Sequence, residues 1–194
     1  MILYFLQLGD AVAPTPTSFY EIKEKDINGV VIDFSQFEGK VVYIVNVASY
    51  CGYTERNYQL INQLTAKYAN KGLEVVVFPC NQFGAQEPGN GQEITTFAKS
   101  KGFSGIIMSK GDVNGDKTRP TFKFLKDRTA KNYITWYSSY IAMYISLDTM
   151  SNMSSCTGIL MGSLLWTRPA LLITLMIVTW TRRFRNTCMP RICN

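Results

Sequence analysis

Cys51 is the residue of this chain best placed to do chemistry. It follows an apolar, β-branched run at 41–47 (VVYIVNV) and a short Ala48-Ser49-Tyr50 loop, and it precedes Thr54 and a helical pattern. Such a run reads as a buried strand, and Thr54 is a candidate helix cap. The strand thus delivers a thiol to the first turn of a helix. Unpaired N–H groups and the positive end of the helix dipole favour thiolate over thiol there. A thiolate is a nucleophile. The plain alternative, a small apolar residue filling a strand–helix corner, stays open at this level.

The elements that must position Cys51 are legible around it. The first long helix is expected over 54–70, with Leu60, Ile61, Leu64 and Tyr68 on one face. Asn70-Lys71-Gly72 ends it. A second buried strand follows at 73–78 (LEVVVF). Strand, helix, strand in this order is a right-handed parallel crossover. It brings the next loop, with Cys80 and Gln82, to the same carboxyl edge of the sheet as Cys51, where open α/β sheets carry their sites. Taken singly, Gln82 reads as a loop amide satisfying backbone, Cys80 as a buried structural thiol and Trp136 as a core aromatic.

Composition restricts the chemistry. The chain has 194 residues, a net charge of +6 and no histidine. That excludes Ser-His-Asp and Cys-His catalysis and removes the commonest zinc ligand. The five cysteines form no Cys-x-x-Cys pair, and an odd, scattered set argues against a disulfide framework. No basic stripe interleaved with aromatics suggests nucleic-acid binding. Any chemistry at Cys51 must be driven by backbone, hydrogen-bond donors and helix dipole.

The remaining chain divides as follows. Residues 1–18 are an N-terminal extension; the apolar run at 2–8 followed by Ala11-Val12-Ala13 also allows a minimal leader. Two strands, 19–25 and 30–34, form a hairpin about the Asp26-Ile27-Asn28-Gly29 turn. A short helix is expected over 92–101, with Ile94, Phe97 and Ala98 inward. A brief strand at 106–108, a turn at 113–116, a helix over 119–126 and a strand beginning at 133–136 follow. After Trp136 the pattern changes: 137–153 has no clear period. The nearly uncharged 158–180 stretch, with its basic flank, suggests a tail anchor but is broken by Arg168-Pro169.

Residues 19–136 resemble the glutathione peroxidase family. The resemblance is carried by 46–54 (NVASYCGYT), 78–89 (FPCNQFGAQEPG), Val113-Asn114-Gly115 and Ile134-Thr135-Trp136, in the right order. It implies an α/β, thioredoxin-like fold: a parallel βαβ core with an N-terminal hairpin. It implies reduction of hydrogen peroxide and organic or lipid hydroperoxides. Cys51 would be the peroxidatic thiol, and Gln82 and Trp136 would donate hydrogen bonds toward its sulfur. No cofactor is implied beyond glutathione or thioredoxin as reducing co-substrate. The short 126–136 stretch resembles the monomeric members that accept lipid hydroperoxides. A cytoplasmic monomer is expected, with an organelle or secretory location as the alternative and membrane contact left open.

The departures are equally specific. The family follows its tryptophan with an asparagine that completes a catalytic tetrad; here Tyr137 and Ser138 follow. The resolving cysteine of thioredoxin-using members falls near Phe97-Ala98, where this chain has Lys99. Cys80 is then the nearer candidate, and a one-cysteine cycle with glutathione is favoured. The family's final strand and helix are expected to be missing or replaced in 137–194. Read two nucleotides on, 154–167 can encode elements of that strand; most of the assignments are permitted by the codon table, and the Gly after Met161 and the Asp after Trp166 are forced by single codons. This suggests a frame-shifted or mis-spliced tail. Three readings follow: a working peroxidase, a thiol redox sensor or binding module without turnover, and an inactive product.

Overall fold

The computed structural model describes residues 16–129, 133–134, 142–145 and 160–161. Residues 1–15 of the N-terminal extension, Trp136, the tail cysteines Cys156, Cys188 and Cys193 and all of the suggested tail anchor but Leu160–Met161 lie outside the described residues.

The chain is built on β3 (Val41–Val47), every residue of which is buried. Burial on both faces is what a continuous β-branched run demands. β3 pairs in parallel with β4 (Leu73–Pro79), from Val41 opposite Leu73 to Val47 opposite Pro79. Between them runs α1 (Thr54–Tyr68), which buries Tyr58, Ile61, Leu64 and Tyr68 at helical spacing. A single 3-10 turn, Ala69–Lys71, closes on Gly72 at φ 86°. That left-handed backbone is the reason a glycine stands there. β5 (Ile106–Ile107) continues the sheet in parallel beyond β4.

Side chains alternate across the sheet into separate cores. Val41, Tyr43, Val45 and Val47 pack with Val75 and Val77 against α1 and against α2 (Gly91–Ser100). Val42, Ile44, Val76 and Phe78 face the other way, toward Phe122 and Leu125 of α3 (Pro120–Thr129) and an aromatic group of Phe19, Phe34 and Phe37. Each fully buried Val, Ile or Phe of this kind contributes about 1.5–3 kcal/mol.

The hairpin is shorter than its sequence suggests. Only β1 (Lys23–Lys25) and β2 (Val31–Asp33) pair. The flanks, Phe19–Glu21 and Phe34–Phe37, coil into 3-10 turns instead. The physical reason is the aromatic group: Phe34 meets Phe19 and Phe37 at ring centroid distances of 5.0 and 5.3 Å. An extended backbone would point alternate rings to solvent.

The carboxyl-terminal part also differs from expectation. Tyr133 and Ile134 are in no strand. The sheet instead takes β6 (Ala142–Ile145), antiparallel to β3, from a stretch with no readable period, and then β7 (Leu160–Met161). The strand order is β5-β4-β3-β6-β7. β6 supplies partners for the β3 edge, whose N–H and C=O groups would otherwise lack them. Among the described residues no helix is long and apolar enough to cross a membrane.

Candidate active site

Cys51 lies between the end of β3 and the start of α1 and is 8% exposed. Its corner is fixed by Thr54, in a manner the sequence did not suggest. Thr54 is not the cap but the first helical residue. The residue before it, Tyr53, makes no side-chain capping bond. The Thr54 hydroxyl turns back to donate to the Ala48 carbonyl at 2.5 Å, and its N–H donates to the Cys51 carbonyl at 3.0 Å. Thr54 therefore pins both ends of the loop that carries the thiol. With no side-chain cap, the first-turn amides of α1 keep the donor character that favours an anion nearby.

The loop after β4 is tied to the Cys51 loop directly. The Tyr50 N–H donates to the Gln86 carbonyl at 3.0 Å, and the Ser49 hydroxyl donates to Glu87 Oε1 at 2.8 Å. Glu87 is 1% exposed. Burial pushes its carboxyl up from the ordinary range, against the opposing pull of the Ser49 hydroxyl and N–H and of the Lys110 charge. Lys110 also donates to the Gly89 carbonyl at 2.6 Å, closing this loop from outside. Ser49 and Glu87 were not singled out from sequence, because their pairing joins segments far apart in the chain. Asn46 of β3 is also buried, and its Oδ1 has no hydrogen-bond partner among the described residues.

Gln82 is exposed but engaged at both ends. Its Oε1 accepts from the N–H groups of Val113 and Asn114, each at 2.9 Å. Its Nε2 donates to the Asn114 carbonyl at 2.8 Å. An amide nitrogen has a second N–H, which these bonds leave uncommitted. Asn114 in turn clamps Ile134: Oδ1 accepts from the Ile134 N–H and Nδ2 donates to the Ile134 carbonyl, both at 2.8 Å. This clamp takes the hydrogen bonds that a strand neighbour would supply, which accounts for the missing strand at 133–134. The structure thus brings Cys51 and the Gln82 loop to one sheet edge, and ties Gln82 to a position two residues before Trp136.

Neither Cys51 nor Cys80 is in a disulfide among the described residues. Cys80 is 1% exposed, and burial pushes its thiol up. Its Sγ lies 3.8 Å from Gln82 Oε1, the longest contact of this network. Among the described residues no cluster of Cys, Asp and Glu has the makings of a metal site.

Comparison with known proteins places these features. A family profile described as Glutathione peroxidase matches residues 19–126. The chain is 49% identical over 117 residues to a protein of Arabidopsis thaliana named probable phospholipid hydroperoxide glutathione peroxidase 6, mitochondrial; the match covers 60% of this chain and 50% of that one. It is 49% identical over 111 residues to a probable phospholipid hydroperoxide glutathione peroxidase of Citrus sinensis, covering 57% of this chain and 66% of the relative. The chain therefore spans between half and two thirds of the length of these relatives. Among solved structures, a thioredoxin family thiol:disulfide interchange protein of Chlorobium tepidum superposes with a TM-score of 0.50 at 13% identity, covering 73% of this chain and 82% of that one. At that identity the likeness shows the fold alone, and the fold is thioredoxin-like.

Proposed function

The chain belongs to the glutathione peroxidase family, and on that premise we propose that it reduces hydrogen peroxide and organic or lipid hydroperoxides at Cys51. The observation that carries the proposal is the placement of this thiol. It stands at the carboxyl end of β3, ahead of a helix without a side-chain cap, in a loop bonded to the Gln82 loop. The Cys51 sulfur attacks the terminal oxygen of the peroxide and the O–O bond breaks. The alcohol, or water in the case of hydrogen peroxide, leaves with a proton, and the sulfur is left as a sulfenic acid. Gln82, through its second N–H, and Trp136, through its indole N–H, donate toward the sulfur; with no histidine in the chain, neutral donors must do this work.

Reduction is assigned to glutathione. One glutathione thiol attacks the sulfenic sulfur, forming a mixed disulfide and releasing water. A second attacks that disulfide, releasing oxidised glutathione and the Cys51 thiol. Thioredoxin is the alternative donor, and it would need a resolving thiol. Cys80 suits that role poorly, being 1% exposed with its thiol pushed up by burial. The substrate class extends to lipid hydroperoxides, in keeping with the names of the relatives. A cytoplasmic monomer fits this reading, and the mitochondrial relative keeps an organelle location as the alternative.

The test is peroxide consumption by the purified chain, wild type beside Cys51→Ser, with glutathione and then thioredoxin as donor and with hydrogen peroxide and a phosphatidylcholine hydroperoxide as substrates. Turnover with glutathione that vanishes in Cys51→Ser is expected. Turnover retained in the variant would overturn the assignment of Cys51. Folded protein that traps a sulfenic acid at Cys51 without turnover would favour the redox-sensor reading.

A further inference from the structure

We propose that Glu87 is a positioning residue: through the Ser49 hydroxyl it fixes in place the loop that presents Cys51. The inference rests on the reading of Cys51 as the thiol that meets peroxide. Two kinds of bond hold that loop. Thr54 ties Ala48 and Cys51 together, and so sets the loop's shape. The bonds to the loop after β4 set its place on the sheet edge. They run from the Tyr50 N–H to the Gln86 carbonyl at 3.0 Å and from the Ser49 hydroxyl to Glu87 Oε1 at 2.8 Å. Of these two, only the second joins side chains, so only it depends on which residues stand at 49 and 87. Ser49 is two residues from Cys51, a span of at most about 7 Å, and a displacement of Ser49 is carried to the thiol.

Glu87 is itself held as an anchor must be. Its N–H donates to Asn81 Oδ1 at 2.8 Å, closing the 81–87 loop on itself, and its carbonyl accepts from Lys110 at 3.3 Å. Lys110 goes on to the Pro88 and Gly89 carbonyls at 3.2 and 2.6 Å, so its donors are spent on backbone. The loop turns through Gly84 at φ 62° and Ala85 at φ 52°. An alanine persists in left-handed backbone only where its surroundings hold it there. The residues that follow this turn, Gln86 and Glu87, are the ones that meet Tyr50 and Ser49. A carboxyl out of water is unfavourable without a hydrogen-bond partner, and among the described residues the side chain that bonds the Glu87 carboxyl is Ser49. Packing alone would be served better by an apolar residue at 87.

The experiment follows the oxidation of Cys51 in the full, reduced chain, with no reducing donor present. Hydrogen peroxide is added, the reaction is quenched with iodoacetamide at intervals, and the alkylated and oxidised Cys51 peptides are quantified by mass spectrometry. Far-ultraviolet circular dichroism confirms that each variant is folded. Ser49→Ala and Glu87→Ala should each lower the rate constant by about ten- to a hundred-fold, the scale of a lost hydrogen bond to a carboxyl and of a displaced reacting group. The double variant should react no more slowly than Glu87→Ala alone, because the contact is already gone. Glu87→Gln keeps an acceptor oxygen and should restore most of the rate lost in Glu87→Ala. If Glu87→Ala does not fold, Ser49→Ala and its rescue by Ser49→Thr, which keeps the hydroxyl, decide the question. A wild-type rate in Ser49→Ala, single effects that add in the double variant, or Glu87→Gln as slow as Glu87→Ala would overturn the inference while leaving the proposed activity standing. A wild-type chain whose Cys51 is not oxidised would overturn the reading of Cys51, and this inference with it.

Discussion

Replacing Glu24 alone should cost the fold more than replacing Glu24 and Arg119 together. The Glu24 carboxylate accepts from Arg119 Nε at 2.7 Å and Nη2 at 2.5 Å, and from the N–H and hydroxyl of Thr121, each at 2.6 Å. The side chains of Arg119 and Glu24 are only 7% and 6% exposed. Arg119 also donates to the Ser109 carbonyl at 2.7 Å and lies 4.5 Å over the Phe78 ring. The Glu24 carboxylate thus joins β1 to Arg119, just before α3, and to Thr121 in its first turn, and closes the 109–121 segment in which Asn114 sits. Glu24→Leu would leave a buried guanidinium without its counter-charge. Breaking a buried pair in this way costs about 3–5 kcal/mol. Glu24→Leu with Arg119→Met removes both charges and leaves the Thr121 donors and the Ser109 carbonyl to find water, a cost of about 1–3 kcal/mol. The measurement is urea unfolding followed by far-ultraviolet circular dichroism. With an m-value of about 2 kcal/mol per molar, Glu24→Leu should lower the midpoint by about 2 M, and Arg119→Met should restore about half of that loss. Single costs that sum to the double-variant cost within about 0.5 kcal/mol would refute the reasoning.

Other consequences are open to direct measurement. Because burial raises the Glu87 carboxyl, the folded chain holds its proton to higher pH than the unfolded chain does. Stability should therefore fall as pH rises from the ordinary carboxyl range, about 4.3, to the raised folded value, and then level off. Glu87→Gln keeps an acceptor for Ser49, so urea titrations from pH 4 to 8 should show that part of the curve flattened; a curve parallel to wild type would mean Glu87 does not contribute. A Cβ added at Gly105 would meet Phe103 Cζ at 2.7 Å and the Val75 carbonyl oxygen at 2.9 Å. Gly105→Ala should thus cost about 1–3 kcal/mol of overpacking in the same unfolding assay, and a wild-type midpoint would show that the β4–β5 junction yields.

What sequence disclosed follows from the range of the forces involved. β3, α1 and β4 were legible because their order is local: an apolar run, a helical period, a glycine at a left-handed position. α2 begins where Asn90 and Glu93 form a capping box, a signal contained within four residues. The hairpin was read too long because its ends answer to distant aromatic packing, not to β-propensity. β6 was invisible because its pairing with β3 spans about a hundred residues and leaves no local period. The site shows the same division. Cys51 was placed by its strand and helix alone. The Thr54 bond to Ala48, the Ser49–Glu87 pair and the Gln82–Asn114–Ile134 relay are side-chain-to-backbone or side-chain pairs between loops, and no spacing rule announces them. The Gln82 bonds to backbone that its sequence position suggested do occur, and the donor role assigned to it draws on the N–H they leave over.

The most direct test of the account treats the fully reduced chain with one equivalent of hydrogen peroxide, without any donor, in the presence of dimedone, and locates the adduct by peptide mass spectrometry. Rapid, stoichiometric labelling of Cys51 with Cys80 unmodified is the predicted result. Labelling of Cys80 in preference to Cys51, or no labelling of folded protein, would contradict the claim that the β3–α1 corner is where this chain meets peroxide.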